Sequence, residues 1–334
     1  MEPKVNYIFV AGHYNVANHF ALDMLSRHLR IFRGKLIWRF YESVVPFIDD
    51  ALKVELYEPN RDDKRLLPLY TSNKVKQNFF LTKQDHELGK RFLSDIGVPD
   101  DGWFAGIHTR DSSYLKKALP GRNWDYHDFR DAPISTYLEA ANHIVSSGGH
   151  ALRMGAVVEE PLPQHLHSNI IDYATKFRTD FLDVYLLATC KFFLGSSAGL
   201  FCLPAVFERP LAYANGLPAC SPWGKFTMFI PKKLLLEKEG RYLSFREIFD
   251  RYGAKALLDG KTYHEAGVSC VPNTAEEVRD LCIELNDIID GRAKPNDALK
   301  KHLSQSLGPN HPWSVATSYL GTRFVEQNKE MFEL

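Results

Sequence analysis

The sequence has little of what marks several large classes of protein. Its 334 residues include 5 cysteines, an odd number, and none of them forms a Cys-x-x-Cys pair. This favours free thiols in a reducing compartment over a disulfide framework. No apolar run approaches the roughly 18 residues that span a bilayer, and the short apolar run at 8–11 is far below the core of a signal peptide. We therefore expect a cytoplasmic protein, with peripheral contact at the inner face of a membrane left open.

An excess of charge of one sign is also lacking. Lys and Arg number 41 together, and Asp and Glu number 41, so the formal net charge is zero. Domains that bind nucleic acid along their surface usually carry a clear basic excess, so no nucleic-acid partner is expected. The apolar fraction of 45% is ordinary for a packed protein, and the length predicts about two domains.

Several catalytic motifs are missing. The sequence contains no His-Glu-x-x-His and no Cys and His cluster at metal-ligand spacing, which argues against metal-dependent hydrolases. It also lacks a Walker A loop, the Gly-x-Gly-x-x-Gly fingerprint and the Asp-x-Asp of many metal-dependent sugar transferases. We expect neither a metal nor a bound cofactor.

What is present is an alternation of segments with strand and helix patterns. Strands are predicted at 5–11, 36–40, 53–57, 103–109, 151–154, 170–173, 191–194 and 211–215. Helices are predicted at 16–29, 86–96, 134–147, 181–189, 200–207, 278–289 and 314–333. This order predicts an α/β fold with parallel sheets covered by helices. The stretch GVPDDG at 97–102 suggests domains at 1–102 and 103–310, with a terminal helix at 311–334 that crosses back to the first.

Polar residues end two of the predicted strands. The strand at 103–109 ends in His108, Arg110 and Asp111, and Arg153 lies at the end of the strand at 151–154. Ligands of open parallel sheets bind beyond the carboxyl ends of the strands, and arginine can fork two hydrogen bonds onto a phosphate. The alternative is that Arg110 forms a structural ion pair and that His108 only packs.

A long polar passage at 112–133 combines cations with aromatic residues. Its cations include Lys116, Lys117, Arg122 and Arg130. Structureless loops of this length tend to be lids or binding loops, so a lid over an anionic, ring-containing ligand is one interpretation. A solvated insertion is the other.

A third feature is the segment GSSAGL at 195–200, which joins a strand to an apolar helix. Backbone N–H groups and the hydroxyls of Ser196 and Ser197 could meet a phosphate there, with Gly199 and Leu200 completing the loop. The alternative is an ordinary serine cap between a strand and a helix.

Carboxylates and histidines supply the remaining candidates. Asp172, Asp180 and Asp183 could hold a ribose or a base edge, or could complement a helix dipole or pair with Arg153. His13 and His19 follow the first strand, where either could act as a base on an acceptor hydroxyl or simply form a turn and cap.

Short pieces of this sequence between about 106 and 218 resemble, in order, a bacterial family of predicted glycosyltransferases from surface-polysaccharide gene clusters. The matching pieces lie at 107–112, 129–132, 137–138, 148–155, 171–174, 180–183, 190–200 and 207–210, with a further one at 229–233. More distantly, the His-x-Arg-Asp element and the Gly-Ser-Ser segment are similar to donor-binding motifs of the fucosyltransferase superfamily. Asp111 stands where those enzymes often have a second arginine.

This resemblance implies a GT-B fold of two facing Rossmann-like domains and a GDP-sugar donor. It implies that Arg110 contacts the diphosphate, that Ser196 and Ser197 line the phosphate pocket, and that Asp183 or Asp180 holds the nucleoside. The expected reaction is metal-independent transfer of a sugar from a nucleotide diphosphate sugar to a hydroxyl of a saccharide or lipid-linked acceptor. The candidate bases are His13, His19 and Asp111. The alternatives are a nucleotide-sugar epimerase or hydrolase and a non-catalytic nucleotide-sugar-binding protein.

Overall fold

The computed structural model describes part of the chain in detail. The described residues are 7–10, 16–27, 30–44, 80–118, 121, 123–158, 160–217, 224, 226–252, 260–308, 311, 313 and 318–333. The chain divides into two compact units, residues 1–80 and 81–334. The division lies before the boundary expected at 102, because helix α3 (Lys83–Asp95) belongs to the second unit, where Gly89 abuts the ring of Tyr185.

The first unit contains a strand, a helix and a second strand in parallel pairing. Strands β1 (Tyr7–Val10) and β2 (Arg30–Arg33) flank helix α1 (His19–Ser26), and helix α2 (Lys35–Val44) follows. The predicted strand and helix at the start are confirmed. The strand predicted at 36–40 is wrong, since α2 covers it; a short apolar run cannot be assigned to strand or helix by periodicity alone. The strand predicted at 53–57 lies outside the described residues.

The second unit is built on a seven-stranded sheet in which every neighbouring pair is parallel. Its strands are β3 (Phe104–His108), β4 (His150–Arg153), β5 (Ile170–Ile171), β6 (Phe192–Gly195), β7 (Leu211–Gly216), β8 (Thr227–Pro231) and β12 (Tyr319–Leu320). The order across the sheet is β12-β8-β7-β6-β3-β4-β5. The predicted α/β fold with a parallel sheet is therefore confirmed.

The central strands are buried along their length, because helices cover both faces. Every residue of β6 and β7 is buried, as expected for the almost continuously apolar strands of a parallel sheet. The helices of this unit are α3, α4 (Ser113–Ala118), α5 (Leu138–Ser146), α6 (Tyr173–Lys176), α7 (Asp180–Thr189), α8 (Cys202–Val206), α9 (Phe245–Tyr252), α10 (Gly260–Glu265), α11 (Ala275–Ile289), α12 (Asp297–Leu307) and α13 (Thr322–Gln327).

Side-chain caps fix where the two longest helices start. Thr82 and Asp85 form a capping box at the start of α3, and Thr274 and Glu277 form another at α11. Each box satisfies two backbone N–H groups that the helix itself leaves unpaired. A separate antiparallel sheet, with strand order β10-β9-β11, comprises β9 (Lys233–Leu236), β10 (Arg241–Tyr242) and β11 (Val268–Val271).

Two predicted helices are broken up in the structure. The region predicted as a helix at 200–207 consists of a 3-10 turn (Gly199–Phe201) and the five-residue α8. The terminal helix predicted at 314–333 is, in its described part, strand β12, helix α13 and a 3-10 turn (Lys329–Phe332). This segment belongs to the second unit, where the Phe332 ring packs on Phe245 with ring centroids 4.8 Å apart. The predicted crossing back to the first unit stays a prediction.

A membrane span would need a long apolar helix, and none of the helices in the described parts of the chain meets that requirement.

Candidate functional site

The path of the chain through the large sheet defines a switch point between β3 and β6. From β3 the chain proceeds to β4 and β5 on one side, and then returns to place β6 on the other side. The connections that leave the carboxyl ends of β3 and β6 therefore diverge, which opens a crevice where ligands of such sheets bind. His108 and Gly195, the last residues of the two strands, are register partners.

The two strand ends are joined directly beyond this register pair. The backbone N–H of Arg110 donates to Ser196 Oγ at 2.8 Å, and Ser196 is completely buried. The Arg110 side chain is only 9% exposed, and its guanidinium forms an ion pair with Asp131. Two groups that the sequence predicted to bind donor phosphate thus meet at one point of the sheet edge.

A four-residue segment at 129–132, which we call the strap, is tied to these strand ends. The N–H of Ala132 donates to the Arg110 carbonyl at 3.1 Å, in addition to the ion pair between Arg110 and Asp131. Arg130 Nη2 donates to the carbonyl and hydroxyl oxygens of Ser197 at 2.9 and 3.1 Å. The strap is therefore linked to both strands of the switch point.

A lysine at the end of a third strand also contacts the strap. Lys232 follows β8, is only 1% exposed, and donates from Nζ to the carbonyl oxygens of Phe129 at 2.9 Å and Asp131 at 2.5 Å. Burial lowers the pKa of its ammonium group. Lys232 thus makes charge-assisted hydrogen bonds to backbone carbonyls at the same edge of the sheet.

The acidic and imidazole groups at this edge have shifted pKa values. Burial raises the pKa of Asp131 to about 6, against the opposing effect of Arg110. Burial lowers the pKa of His108 to about 4, and its buried Nδ1 has no hydrogen-bond partner in the described structure. At neutral pH Asp131 is therefore ionised and His108 is neutral. The His108 ring lies beside Gly155, where a Cβ would approach it to 3.6 Å.

The next strands along the sheet carry a second buried pair. Arg153, the last residue of β4, lies with Nη1 3.5 Å from Asp172 Oδ2, directly after β5. Both residues are buried, and Asp172 Oδ1 has no partner among the described residues. This pairing matches one of the alternatives that the sequence left open, in which Arg153 binds an aspartate.

The other two candidate carboxylates surround a single arginine. Arg178 donates from Nη2 to Asp180 at 2.7 Å and from Nε to Asp183 at 3.0 Å, and the Tyr173 hydroxyl donates to Asp183 at 2.9 Å. Burial raises the pKa of Asp183 to about 6. Thr179 caps α7 by accepting from the Leu182 N–H. These contacts favour the alternative in which Asp180 and Asp183 stabilise the start of a helix over the one in which they hold a nucleoside.

The predicted lid contains regular structure. Residues 113–118 form α4, which carries the exposed Lys116 and Lys117 in its last turn, and Asp111 Oδ1 accepts from the Ser113 N–H at 3.0 Å at its start. A 3-10 helix (Asp125–Arg130) leads into the strap, so Arg130 is anchored to Ser197. Arg122 lies outside the described residues.

The helix expected to face a phosphate is short. Gly199 is exposed and Leu200 is half-buried in the 3-10 turn, and no side chain caps this turn at Ala198. Because α8 has only five residues, its peptide dipoles sum to little. The phosphate interpretation of 195–200 therefore depends on Ser196 and Ser197 and not on a helix dipole.

The two histidines proposed as bases belong to the first unit. His13 lies outside the described residues. His19 is exposed at the first position of α1, and Asn18 caps that helix by accepting from the Ala21 N–H at 2.8 Å. Asp111 is the one candidate base that the structure places at the edge of the large sheet.

Three residues with contacts at the carboxyl ends of the large sheet were not singled out from the sequence: Asp131, Lys232 and Tyr137. The Tyr137 hydroxyl accepts from Asn215 Nδ2 at 3.0 Å, and Asn215, at the end of β7, exchanges hydrogen bonds with Asn273 at 2.6 and 2.8 Å. The available signal was that all three fall in pieces that carried the family resemblance, at 129–132, 137–138 and 229–233. In the described part of the chain, no three His, Cys, Asp or Glu residues converge to hold a metal ion.

Neither a scan against models of known protein families nor a search of curated proteins finds a match. Among solved structures, the chain is similar to a glycosyl transferase of family 9 from Veillonella parvula, with 12% sequence identity and a TM-score of 0.38. The match covers 66% of this chain and 57% of that one.

Two further structures are similar to parts of the chain. One is the E. coli heptosyltransferase WaaC with ADP-2-deoxy-2-fluoro heptose, at 20% identity and a TM-score of 0.25, covering 46% of this chain and 44% of that one. The other is the dodecameric iron-containing heptosyltransferase TibC in complex with ADP-D-beta-D-heptose, at 14% identity and a TM-score of 0.35, covering 86% and 75%. The chain thus spans less than two thirds of the length of the first two structures.

Proposed function

We propose that this protein is a glycosyltransferase that binds a nucleotide diphosphate sugar at the switch point between β3 and β6. The observation that carries the proposal is the convergence of Arg110, Arg130 and Lys232, from three separate places in the chain, on one sheet edge beside Ser196 and Ser197. Cations and hydroxyl donors at the carboxyl ends of parallel strands suit a diphosphate.

The chemistry assigned to this edge is stabilisation of the leaving group. As the bond between the anomeric carbon and the diphosphate oxygen breaks, negative charge develops on the diphosphate, and the acceptor hydroxyl oxygen forms the new glycosidic bond. Arg110 is the group placed to stabilise that charge, since its guanidinium is held in a fixed direction by Asp131 and its backbone by Ser196. The proton of the acceptor hydroxyl passes to a base, for which Asp111, His13 and His19 are the candidates.

The sequence resemblance supplies the finer part of the proposal. It favours a GDP-sugar as donor, a saccharide or lipid-linked hydroxyl as acceptor, and transfer without a metal. Arg153 and His108 would border the donor, because they end or follow strands adjacent to the switch point.

The test is product analysis with a panel of donors. The purified protein is first screened by thermal shift against GDP-, UDP-, ADP-, dTDP- and CMP-linked sugars, since bound donor raises the melting temperature by mass action. The donors that bind are then incubated with saccharide and lipid-linked acceptors, with and without EDTA. We expect nucleotide release that requires an acceptor.

Each other product would replace the proposal with a named alternative. An isomeric nucleotide sugar would identify an epimerase, and nucleotide release without an acceptor would identify a hydrolase. Donor binding with no turnover in any acceptor pool would identify a binding protein. Loss of turnover in EDTA would contradict the metal-independent part.

A further inference from the structure

Lys232 is a buried cation whose hydrogen bonds, in the part of the chain that the structure describes, both go to backbone carbonyls. Its side chain is among the largest that are completely buried, and its ammonium group contacts the carbonyl oxygens of Phe129 and Asp131. In the described structure it forms no ion pair with a carboxylate. Keeping an ammonium group buried on carbonyls alone is costly, so a lysine at this position calls for an explanation beyond side-chain packing.

The two carbonyls lie on either side of the residue that reaches the switch point. Arg130 stands between Phe129 and Asp131, and it hydrogen-bonds Ser197. Asp131 contributes its carbonyl to Lys232 and its carboxylate to Arg110. A single ammonium group therefore fixes the backbone from which both contacts extend.

The other described contacts of the strap lead to different elements. The Asp131 N–H donates to the Asp128 carbonyl at 2.9 Å, the Ala132 N–H donates to the Arg110 carbonyl at 3.1 Å, and the Phe129 ring packs on Tyr263 of α10 with ring centroids 5.0 Å apart. None of these contacts reaches β8. Removing the Lys232 ammonium would release the strap from β8 and loosen the backbone that carries the Asp131 carboxylate, which directs the Arg110 guanidinium.

We propose that Lys232 is a positioning residue of the donor site, which holds the strap so that Arg110 and Arg130 present their guanidinium groups at the switch point. This inference rests on the proposed function of that site. Lys232 acts through the strap, so it governs how tightly the donor binds more than how fast the bound donor reacts.

The test compares Lys232→Met with Lys233→Met. Lys233 is the neighbouring buried lysine, but it pairs with Glu277 at 2.7 Å and does not contact the strap, so its variant controls for general destabilisation. With GDP as the probe in calorimetry, we expect Lys232→Met to weaken binding about tenfold or more, the scale of losing one charge-assisted hydrogen-bonding group. Lys232→Arg should restore part of the affinity, and Lys233→Met should bind as the wild type does.

Two further readouts separate positioning from simple loss of structure. In turnover assays, the donor KM of Lys232→Met should rise by the same factor while kcat changes less than about threefold. In the wild type, the amides of Asp131 and Ala132 should exchange with solvent as slowly as those of β8; rapid exchange there would overturn the inference even if Lys232→Met does not fold.

The outcomes distinguish this inference from the proposed function. If the wild type binds no nucleotide diphosphate, the proposed function fails. If the wild type binds and Lys232→Met binds equally well, the proposed function stands and the role of Lys232 is refuted.

Discussion

Two clusters of buried charge lie in the second unit, and they are built in opposite ways. Around Arg178, a single guanidinium meets two carboxylates, Asp180 and Asp183, with the Tyr173 hydroxyl on the second. At the switch point, three cations lie on or against the strap: Arg110 pairs with the Asp131 carboxylate, Arg130 donates to Ser197, and Lys232 donates to strap carbonyls. The first arrangement holds more carboxylates than cations, whereas the second gathers cations at the switch point, which suits an anion.

The comparison indicates which buried charged residues stabilise the fold and which are available to bind a ligand. Both clusters contain arginine, aspartate and a neighbouring hydroxyl, and both follow strands of the same sheet, so residue type alone does not separate them. What separates them is that three cations gather at the second cluster and that this cluster lies at the topological switch. We expect variants of the Arg178 cluster to change stability, and variants of the switch-point cluster to change nucleotide binding.

The largest effect should come from Arg178→Met. This change leaves the Asp183 carboxylate, whose side chain is 5% exposed, without its cation, and breaking a pair around a buried charge costs about 3 kcal/mol or more. Urea unfolding should show that loss. Calorimetry below the unfolding transition should still give wild-type nucleotide affinity.

Arg251→Met is the matched control, because Arg251 is 42% exposed and pairs with Glu247 on the surface of α9. An exposed pair of this kind contributes about 0 to 1 kcal/mol. If Arg178→Met were to abolish nucleotide binding while folded, the Arg178 cluster would belong to the donor site, as the sequence resemblance implies for Asp180 and Asp183.

A smaller loss of stability is expected for Gly89→Ala in α3. This change disturbs only the side-chain packing of α3 on α7, the helix that also carries Asp180 and Asp183. Alanine normally stabilises a helix interior relative to glycine by about 1 kcal/mol. Here the new Cβ would lie well inside the van der Waals contact distance of the buried Tyr185 ring of α7, so the ring or α3 would have to shift, and such overpacking costs about 1 to 3 kcal/mol. The melting temperature should fall, with nucleotide affinity unchanged; a rise would show that α3 does not pack on α7.

The smallest effect concerns the pH dependence of stability at Asp131. Its pKa is raised to about 6 in the folded state, so the folded state binds this proton more tightly, and the stability it contributes at low pH is lost as the pH rises through 6. His108 acts in the opposite direction, because its folded pKa of about 4 makes stability fall as the pH drops from about 6.5 to 4.

Asp131→Asn removes only the first contribution. The unfolding free energy should therefore rise more steeply between pH 4.5 and 7 than in the wild type, by about 1 kcal/mol after solvent screening of the half-buried carboxyl. The charge of the exposed Asp128 helps to raise the pKa of Asp131, so Asp128→Asn should change the slope in the same direction by a smaller amount. Equal slopes in Asp131→Asn and the wild type would show that Asp131 titrates like an exposed carboxyl.

Much of the large sheet could be predicted from the sequence, because each central strand is a short apolar run followed by polar or small residues. The same logic located His108, Arg110, Arg153 and Ser196 at the carboxyl ends. It failed for 36–40, where an apolar run lies in α2, and for the terminal segment, where helical spacing conceals strand β12, the short helix α13 and a 3-10 turn.

The strap could not be derived from the residues in this way. Lys232 and the Asp131 carbonyl are 101 residues apart in the chain, and no local pattern predicts that β8 lies near enough for them to meet. The cations at 112–133 suggested a lid, whereas Arg130 donates to Ser197 across 67 residues. Contacts of this kind follow from the order of strands in the sheet, which the linear pattern does not specify.

The most direct test of the central claim is calorimetry of GDP binding to the wild type, Arg110→Gln, and the double variant Arg110→Gln with Asp131→Asn. The double variant removes the half-buried Asp131 carboxylate that the single change would leave unpaired, so we expect it to keep the fold while lacking the guanidinium. The account predicts binding to the wild type and at least a hundredfold weaker binding to both variants, on the scale of about 3 kcal/mol for a buried charged contact. Binding of wild-type strength in the folded double variant would contradict it.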